Sequence, residues 1–513
     1  MSEKESKRLT RRDFVKGATV GAVGGLVVGG PGAALAQREP SLPEKWDYEA
    51  DVVVIGGGGA GLAAAYEAAN AGAKVILLEK QDNLDGSNTA QCYGDIGAAG
   101  TSLQKRKGIQ DSSDLYYKDM TAGNPRGNKD LIRMAADNSG ATVEWLIELG
   151  MTFQDWSPVA RPGMSAPRAH VAKPDARQWI KVVSDAAKAK GVQILLRTPV
   201  TRLIRDLTNG VIGVKADSLT FKARRSIVLC TGDQNANAIM KAKFGSPEWF
   251  TAIPSAGSVG NTGDGLTMAM DIGADPMCLD MPWSPSPALH IFVGNGNKGV
   301  EATYSAGGGV YPGILNVSIL VNSDGNRFSN ELGDVGPAAY KQPGRVAFLI
   351  FDSQIPKGNP NFGAGASYRN FNDYMSAGVI KQADTIADLA AKWGINPSGL
   401  TATIAKYNVY VDAKKDGDFR RDPSAMVKIE TPPFFAAGRF MVTSGTAANG
   451  TLTVDTKTLN VLDVFGNKIP RLYAAGDNGK AGFVGLGHGT HINWCFTSGR
   501  VAGKYAAAEK PWV

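Results

Sequence analysis

The chain has 513 residues, of which 43% are hydrophobic and 20% are charged, and its formal net charge is +7. This length suffices for two or three domains around a large core, and the composition is that of a globular protein. The first 36 residues contain six basic and three acidic side chains, so the remainder carries only +4. A charge so small and so scattered does not indicate nucleic-acid binding, and we predict no nucleic-acid partner.

The N-terminus reads as a targeting segment. Arg11 and Arg12 begin the twin-arginine pattern RRDFVK, a glycine-rich and weakly apolar run follows over residues 17–30, and Ala34-Leu35-Ala36 offers a cleavage site. The apolar run is too short and too rich in glycine to span a bilayer. We therefore predict a signal peptide over residues 1–36, export of the folded protein by the twin-arginine pathway, a periplasmic location and no stable membrane insertion after cleavage.

Residues 51–79 carry the pattern of a dinucleotide-binding unit. Residues 52–55 form an apolar, β-branched run typical of a buried parallel strand, and Gly56, Gly58 and Gly61 follow it as G-x-G-x-x-G. A helix is predicted over residues 60–71, with its N-terminal amides facing a diphosphate. The next apolar strand ends at Glu79, where a carboxylate would accept a ribose hydroxyl.

The following 200 residues alternate between helical and strand-like patterns. Small residues and glycines over 85–97 would let a second piece of backbone approach a cofactor. Thr231-Gly232 ends a further apolar strand and is a second candidate approach. The predicted helices cover residues 131–150, 178–190 and 266–272, and the predicted strands cover 192–196, 200–204, 211–214 and 226–230.

From about residue 281 to residue 443 tryptophan, proline and glycine become frequent, and one helical hairpin is predicted, over 384–393 and 397–410. The alternation of strands and helices resumes afterwards, with a strand at 452–454, a strand followed by a turn at 472–477 and a helix over 492–507. We therefore predict an α/β protein. A Rossmann-like cofactor domain, made of residues 47–282 and 444–513, carries an inserted α+β capping domain of residues 283–443.

Cysteine and histidine usage limits the metal chemistry. The four cysteines are widely spaced, no C-x-x-C-H pattern for covalent haem occurs, and the chain has four histidines. Cys230 and Cys495 lie in apolar or aromatic contexts that favour buried thiols. We predict no metal site.

Several separated motifs resemble those of the fumarate reductase/succinate dehydrogenase flavoprotein family, especially the soluble periplasmic fumarate reductases and their 3-ketosteroid dehydrogenase relatives. The resemblance runs from about residue 48 to the C-terminus. Besides the glycine fingerprint it rests on Ser87-Asn88-Thr89, PRAH ending at His170, TGDG at 262–265, VNSDGNRFSNE at 321–331 and LYAAGD at 472–477.

This resemblance implies that the cofactor is FAD and that the isoalloxazine lies between the cofactor domain and the capping domain. It further implies hydride transfer between flavin N5 and a carbon of a C=C or CH–CH unit conjugated to a carbonyl. The residues that it implies as FAD contacts are Gly56, Gly58, Ala60, Gly61, Glu79, Asn88, Thr89, Gly94, Val200, Asp264, Asp477 and Ile492.

The chain departs from the fumarate reductases where they bind a dicarboxylate. Their histidine pair corresponds to Ser444–Asn449, their substrate-binding arginine falls near Leu486, and residues 309–318 lack their proton-donating arginine. A buried carboxylate without a cation costs several kcal/mol. We therefore predict a less anionic substrate, such as an enone, a ketosteroid-like compound or an aromatic enoate. The Tyr-Pro-Gly signature of the ketosteroid dehydrogenases is absent from the loop at 487–491.

Two histidines and one tyrosine are the predicted catalytic residues. His488 and His491 would polarise a carbonyl or relay a proton, and the alternative for each is a hydrogen bond to the flavin or its ribityl chain. Tyr311 would donate a proton, and its alternative is an ordinary loop anchor. Other residues expected around the pocket are Trp283, Tyr304 and Asp95, the last replacing a glycine that is usual beside the flavin. We expect structural roles for His170, His290, Arg327 and Glu331.

Three other functions stay open from the sequence. One is a fumarate-reductase-like dicarboxylate reductase, and a second is an oxygen-using flavin oxidase or hydroxylase. The third is an electron-transfer subunit that serves a partner with haem or iron–sulfur, because this chain encodes no second redox centre. The predicted partners are accordingly a small-molecule substrate and an external electron carrier, either a cytochrome or a quinone-linked protein.

Overall fold

The computed structural model describes residues 42–92, 94–122, 127–161, 164–244, 257–277, 279, 288–292, 300–304, 317–332, 335–354, 371–376, 378–443, 451–480, 482–483 and 489–512. For residues 288–292, 300–304, 336–337, 373–374 and 443 it describes the backbone alone. The predicted signal peptide, residues 1–36, lies outside these ranges.

The part of the chain before residue 278 alternates between strands and helices. Its strands are β1 (Tyr48–Ile55), β2 (Val75–Leu78), β3 (Asp95–Gly97), β4 (Ala169–Val171), β5 (Gln193–Leu195), β6 (Val200–Arg205), β7 (Val211–Ala216), β8 (Leu219–Leu229) and β9 (Pro276–Met277). Its helices are α1 (Gly59–Asn70), α2 (Asn88–Gln91), α3 (Ser102–Arg106), α4 (Ser113–Thr121), α5 (Lys129–Glu148), α6 (Arg177–Ala189), α7 (Ala238–Phe244) and α8 (Asp264–Asp271).

Strands predominate in the remainder. They are β10 (Ala288–Phe292), β11 (Val300–Tyr304), β12 (Ser318–Val321), β13 (Val346–Phe351), β14 (Ile380–Ala383), β15 (Phe434–Thr443), β16 (Thr451–Leu452), β17 (Asn460–Leu462) and β18 (Lys468–Ala474). The helices are α9 (Gly336–Tyr340), α10 (Phe371–Ser376), α11 (Ile386–Trp393), α12 (Pro397–Asp412) and α13 (Thr490–Ala508), with two short 3₁₀ turns at Pro343–Arg345 and Pro423–Ala425.

The larger sheet has the order β17-β18-β8-β1-β2-β5, and the β6–β7 hairpin is attached to β8. Strand β1 pairs in parallel with β2 and β8, and β18 also runs parallel to β8. Residues 52–55 of β1 are all buried. A parallel strand at the centre of a sheet that is covered on both faces has this continuous apolar run, which is why the sequence pattern identified it.

The second sheet is antiparallel, with the order β11-β10-β15-β13-β12 and β14 attached to β15. Alternate residues of β12 and β13 belong to two separate apolar clusters, with Leu320 and Leu349 in one and Ile319 and Ile350 in the other. Because successive strand residues point to opposite faces, both faces of this sheet are covered. Helices α11 and α12 cover the second of them.

The predicted α/β class, with a Rossmann-like domain and an α+β insertion, is confirmed by this arrangement. The domain boundaries at 282/283 and 443/444 stay a prediction. Most predicted ends differ from the observed ones by at most three residues, but β1 and β18 each start four residues before the predicted position, and β8 starts at Leu219 rather than at residue 226. The first half of β8 pairs with β7 and alternates between partly exposed and buried positions, so it lacks the continuous apolar run on which the prediction relied.

Four charged side chains form a buried network in the second sheet region. Arg327 bonds Glu331 at 2.7 Å and Asp416 at 2.9 Å, and Arg421 bonds Glu331 at 3.0 Å. Arg421 also donates to the Ser318 carbonyl at 2.7 Å. The network ties the start of β12 to the loop after α12, and this agrees with the structural role expected for Arg327 and Glu331.

Candidate active site

The loop between β1 and α1 is shaped by close backbone packing. Gly56 has a φ of +102°, and a methyl group there would lie 2.2 Å from the Cys230 carbonyl oxygen. A methyl group at Gly61 would lie 1.9 Å from the Gly56 carbonyl oxygen. Both positions therefore require glycine because of the protein's own packing, independently of any ligand.

Gly58 differs from its neighbours. A methyl group there would meet only the Ser87 Cβ, at 3.8 Å, which is an ordinary contact. Gly58 is also the N-cap of α1 and gives the first-turn amides no side-chain partner. Protein packing thus does not explain this glycine, whereas a diphosphate lying against the backbone does, so the loop fits a dinucleotide.

Glu79 lies at the adjoining edge of the loop with its carboxylate fixed. One carboxylate oxygen accepts from the Gly57 amide at 2.7 Å, and the other accepts from the Gln81 amide at 2.8 Å. The side chain is buried. The Thr198 amide donates to the Glu79 carbonyl at 2.8 Å, which brings the start of β6, and with it Val200, to this edge. The position suits a ribose hydroxyl, as the sequence predicts.

The other predicted FAD contacts are tied to the same loop. Thr89 accepts from the Gly59 amide at 3.2 Å, and Asn88 accepts from the Ser258 amide at 2.6 Å. Asp264 pairs with Lys80, the residue after Glu79, at 2.6 Å. The remaining four are in α1, just before β3, just after β18 and in α13: Ala60, Gly94, Asp477 and Ile492. The structure thus ties eight of the twelve residues to the loop and its edges and gives the other four these places in the fold. The contacts of all twelve with FAD stay a prediction.

Helix α13 runs beside α1 in the same direction. Methyl groups at Gly499 and Gly503 would lie 2.3 Å from the carbonyl oxygens of Ala60 and Ala64, so the two helices touch through their backbones. The first contact is made by Gly499, and nine residues of α13 precede it. The N-terminal end of α13 therefore extends about 13 Å beyond the start of α1. The N-terminus of α13 therefore lies beyond the diphosphate position, on the side that the flavin end of FAD would occupy. The dipole of α13 favours negative charge at this N-terminus.

Strand β3 is attached to this N-terminus. The Gly97 amide donates to the Gly489 carbonyl at 3.0 Å, and a methyl group at Gly489 would lie 2.4 Å from the Gly97 nitrogen. Gly94, with a φ of +84°, precedes β3, and its carbonyl accepts from the Ala172 amide at 2.9 Å. The first residue of β3, Asp95, and the second residue of α13, His491, are thus held on adjoining segments.

Asp95 forms an ion pair that the sequence did not predict. Arg161 approaches it with Nε at 2.8 Å from one carboxylate oxygen and Nη2 at 3.3 Å from the other. The Asp95 side chain is 2% exposed and that of Arg161 is 28% exposed. A buried carboxylate needs a cationic partner, so the aspartate in the apolar context of residues 95–99 was a signal that a cation is near. The sequence could not say which one.

Lys480 is a second cation that the sequence did not predict. Its side chain is fully buried, and its Nζ lies 3.0 Å from an Asp477 carboxylate oxygen. Asp477 is one of the predicted FAD contacts, and the adjoining Gly476 lies against Ala60. Lysine is almost never fully buried unless it is paired, so a buried Lys480 implies a carboxylate nearby.

His491 is half-buried at the start of α13 and faces the ring of Phe483, with 6.5 Å between ring centroids. Burial, and after it the positive charge of Lys480, holds the pKa of His491 well below the ordinary 6.5. The imidazole is therefore neutral at physiological pH and can donate one hydrogen bond while accepting another. His488, Tyr311 and Trp283 lie outside the described residues, and of Tyr304 the backbone alone is described.

His170 is fully buried in β4, the strand that pairs with β3. Its Nδ1 lies 2.8 Å from the Arg168 carbonyl, which can only accept, so this nitrogen carries the proton and Nε2 accepts from the Thr101 hydroxyl at 2.8 Å. Burial lowers the pKa of His170 from 6.5 to about 4. The neutral ring thus cross-links β4 to the start of α3, in agreement with the structural role expected from the sequence.

The glycine loop, the anchored Glu79 and the extended α13 define an FAD-binding flavoprotein. A family model described as an FAD binding domain matches residues 51–489, and the chain belongs to this family. The predicted cofactor and the predicted membership of the fumarate reductase flavoproteins are confirmed by this match and by the similarity to a solved fumarate reductase.

Three similar proteins cover nearly the whole chain. Digoxin reductase of Eggerthella lenta is 28% identical over 98% of this chain and 97% of its own. The open conformation of a flavocytochrome c3 fumarate reductase matches with a TM-score of 0.79 at 25% identity, over 99% of this chain and 82% of that one. The 3-ketosteroid-delta4-(5alpha)-dehydrogenase of Rhodococcus jostii RHA1 matches with a TM-score of 0.64 at 26% identity, over 92% and 99%.

The chain is therefore an FAD-dependent oxidoreductase that acts on CH–CH or C=C units. Within the described part of the chain, no helix combines the length and the apolar character needed to cross a membrane.

The glycine loop yields a matched pair of variants. Gly58→Ala should leave the stability of the apoprotein close to wild type, because the added methyl has room, but should weaken FAD binding about tenfold or more by filling the diphosphate position. Gly61→Ala should destabilise the apoprotein itself, because the methyl overlaps the Gly56 carbonyl. Thermal melting of both apoproteins and fluorescence titration with FAD measure the two effects. Wild-type FAD affinity in Gly58→Ala would contradict the proposed approach of the diphosphate.

Proposed function

We propose that this enzyme reduces or introduces a carbon–carbon double bond conjugated to a carbonyl, on a substrate that is neutral or carries one negative charge. Enones, ketosteroid-like compounds and aromatic enoates belong to this class. The observation that carries the proposal is the charge balance at the flavin end of the site: Arg161 pairs with Asp95, Lys480 pairs with Asp477, and His491 is neutral.

A small dicarboxylate needs cations that are not already compensated. The two cations described at this end of the site each have a carboxylate as partner, so the two carboxylates of a dianion would be repelled by Asp95 and Asp477. Burying a charge without compensation costs several kcal/mol, which is more than one neutral histidine can offset. A ketone or an ester carbonyl needs donors and no net charge, and these groups supply donors.

The same residues suit the chemistry. Reduction of the double bond adds a hydride to one carbon and a proton to its neighbour, and negative charge collects meanwhile on the conjugated carbonyl oxygen. Bound FAD supplies or accepts the hydride. In this proposal the N-terminus of α13 and the imidazole of His491 stabilise the negative oxygen. The proton donor or base is assigned to His488 or Tyr311, as the sequence predicts.

The relatives support this class of substrate and also its main alternative. One relative is named a digoxin reductase and one structure a 3-ketosteroid dehydrogenase, whereas another structure is a fumarate reductase. The second candidate function is therefore a dicarboxylate reductase of the fumarate type. The compensated charges favour the first candidate.

A substrate panel separates these two functions. The enzyme is photoreduced without oxygen and then mixed with fumarate, a monoanionic aromatic enoate or a neutral steroid enone, and reoxidation of the flavin is followed by its absorbance. We expect the best enone or enoate to react at least about tenfold faster than fumarate, because Asp95 and Asp477 repel a dianion. Equal or faster reoxidation by fumarate would refute the charge argument, and peroxide formation in air with a substrate would indicate an oxidase.

His491 can be tested by two replacements of similar size. His491→Phe removes the donor and should lower kcat about 100-fold, whereas His491→Asn keeps a donor and should lose less. Because the pKa of His491 is held well below 6.5, the wild-type kcat/KM should show no ionisation of this residue between about pH 6 and 8. An ionisation near pH 6.5 in the pH profile of wild-type kcat/KM that disappears in His491→Asn would contradict a neutral imidazole. Loss of FAD in both variants would assign His491 to the cofactor instead.

We also propose that the enzyme is exported by the twin-arginine pathway to the periplasm and receives electrons there from a cytochrome or a quinone-linked carrier. The RRDFVK pattern supports the export, and the similarity to a flavocytochrome fumarate reductase supports the carrier. Replacing Arg11 and Arg12 together by lysine should retain the holoenzyme in the cytoplasm, as measured by immunoblots of cell fractions. Unchanged distribution of the double variant would refute the route.

A further inference from the structure

We propose that Arg161, held by Asp95, binds the substrate's carbonyl oxygen and that Asp95 sets the preference for neutral over anionic substrates. This inference rests on the proposed function and names the residues that would carry its specificity. The ion pair lies on β3, the strand attached to the N-terminus of α13.

The position of the pair follows from three hydrogen-bonded segments. Strand β4 pairs with β3 on one side, and on its other side Ala169 forms a bridge with Val159. Arg161 is two residues beyond Val159, and its guanidinium pairs with Asp95, the first residue of β3. Because β3 is bonded to Gly489 at the start of α13, the pair is carried by the strand that adjoins the N-terminus of α13.

The burial of the two partners is unequal, and this gives them different roles. The Asp95 side chain is 2% exposed, whereas 28% of the Arg161 side chain is exposed. The Asp95 carboxylate is thus the buried partner, and it fixes the guanidinium by accepting from two nitrogens of Arg161. Arg161 is the partly exposed partner, which a ligand can reach. Such a two-point contact fixes the plane of the guanidinium before the substrate arrives, which is how a donor is preorganised toward a developing negative oxygen.

The same pair discriminates by charge. Arg161 can donate to a ketone or ester oxygen without opposing charge on the ligand, but a carboxylate in that position also meets the negative charge of Asp95. Removing the charge of Asp95 while keeping its shape should therefore raise affinity for anions and leave affinity for ketones nearly unchanged. A purely structural ion pair would not change selectivity in this way.

The chain contains a matched control. Arg177 forms a similar pair with Asp175 at the start of α6, with Nε at 3.1 Å and Nη2 at 2.5 Å from the carboxylate oxygens. There the arginine is the exposed partner as well, at 61%. Arg177→Met thus removes the same kind of contact from an arginine whose described hydrogen bonds go to Asp175 and do not include β3.

The test uses the holoenzymes of wild type, Asp95→Asn, Arg161→Met and Arg177→Met. Each is titrated with a saturated cyclic ketone and with cyclohexanecarboxylate, neither of which can be reduced at a double bond, and binding is followed by the change in the flavin absorption spectrum. We expect Arg161→Met to lose about tenfold or more in affinity for the ketone. Asp95→Asn should shift the ratio of the two affinities about tenfold toward the carboxylate, and Arg177→Met should match wild type.

Two results would overturn the inference: a ratio in Asp95→Asn that stays within about twofold of wild type, or an equal shift in Arg177→Met. If Arg161→Met does not fold, Arg161→Lys replaces it, because lysine keeps the charge but loses the two-point contact and should still weaken ketone binding severalfold. Neither ligand can be reduced at a double bond, and dehydrogenation of the ketone would bleach the flavin absorption, which distinguishes it from the spectral shift of binding. The binding ratio is therefore independent of the substrate panel. Fast turnover of wild type with fumarate would refute the proposed function even if the ratio shifts.

Discussion

Helix α13 can lie directly against α1 because Gly499 and Gly503 present no side chains to the carbonyl oxygens of Ala60 and Ala64. The contact fixes two helix N-termini in the same direction, one at the diphosphate position and one about 13 Å ahead of it. Strand β3 is bonded to the second N-terminus, and the ion pair of Asp95 is in turn carried by β3. The geometry at the flavin end therefore depends on this one backbone contact.

A pocket that buries charge must compensate it locally, and this chain does so with adjacent opposite charges. Arg161 and Lys480 each have an aspartate as partner, while His491 stays neutral because burial and a nearby cation lower its pKa. The result is a set of oriented donors with little net charge. Such a set can stabilise an oxygen that becomes negative during the reaction without binding a permanent anion tightly, which is the requirement for an enone.

The parts of this picture that the sequence predicted are those with local signatures. The strand, the glycines, the helix and Glu79 follow one another within residues 51–79, and each has a pattern set by backbone geometry. Arg161 and Lys480 have no such signature, because Arg161 meets Asp95 across 66 residues and the depth of Lys480 depends on how the turn after β18 packs. The buried carboxylate of Asp95 could be predicted to need a cation, but the choice of cation is made by tertiary structure. His488 and Tyr311 rest on the resemblance alone.

The arrangement also suggests why related chains can act on substrates of different charge with one scaffold. Strands β3 and β4 and helix α13 are held by backbone hydrogen bonds and by His170, none of which involves the substrate. The paired charges are added to this frame by side chains, Arg161 from a connecting segment and Lys480 from a turn. Replacing Asp95 by glycine would keep the backbone pairing of β3 with β4 and would remove the carboxylate that compensates the charge of Arg161. On the proposal made above, substrate charge is set by single side chains on a rigid frame, and the stability of the fold constrains it little.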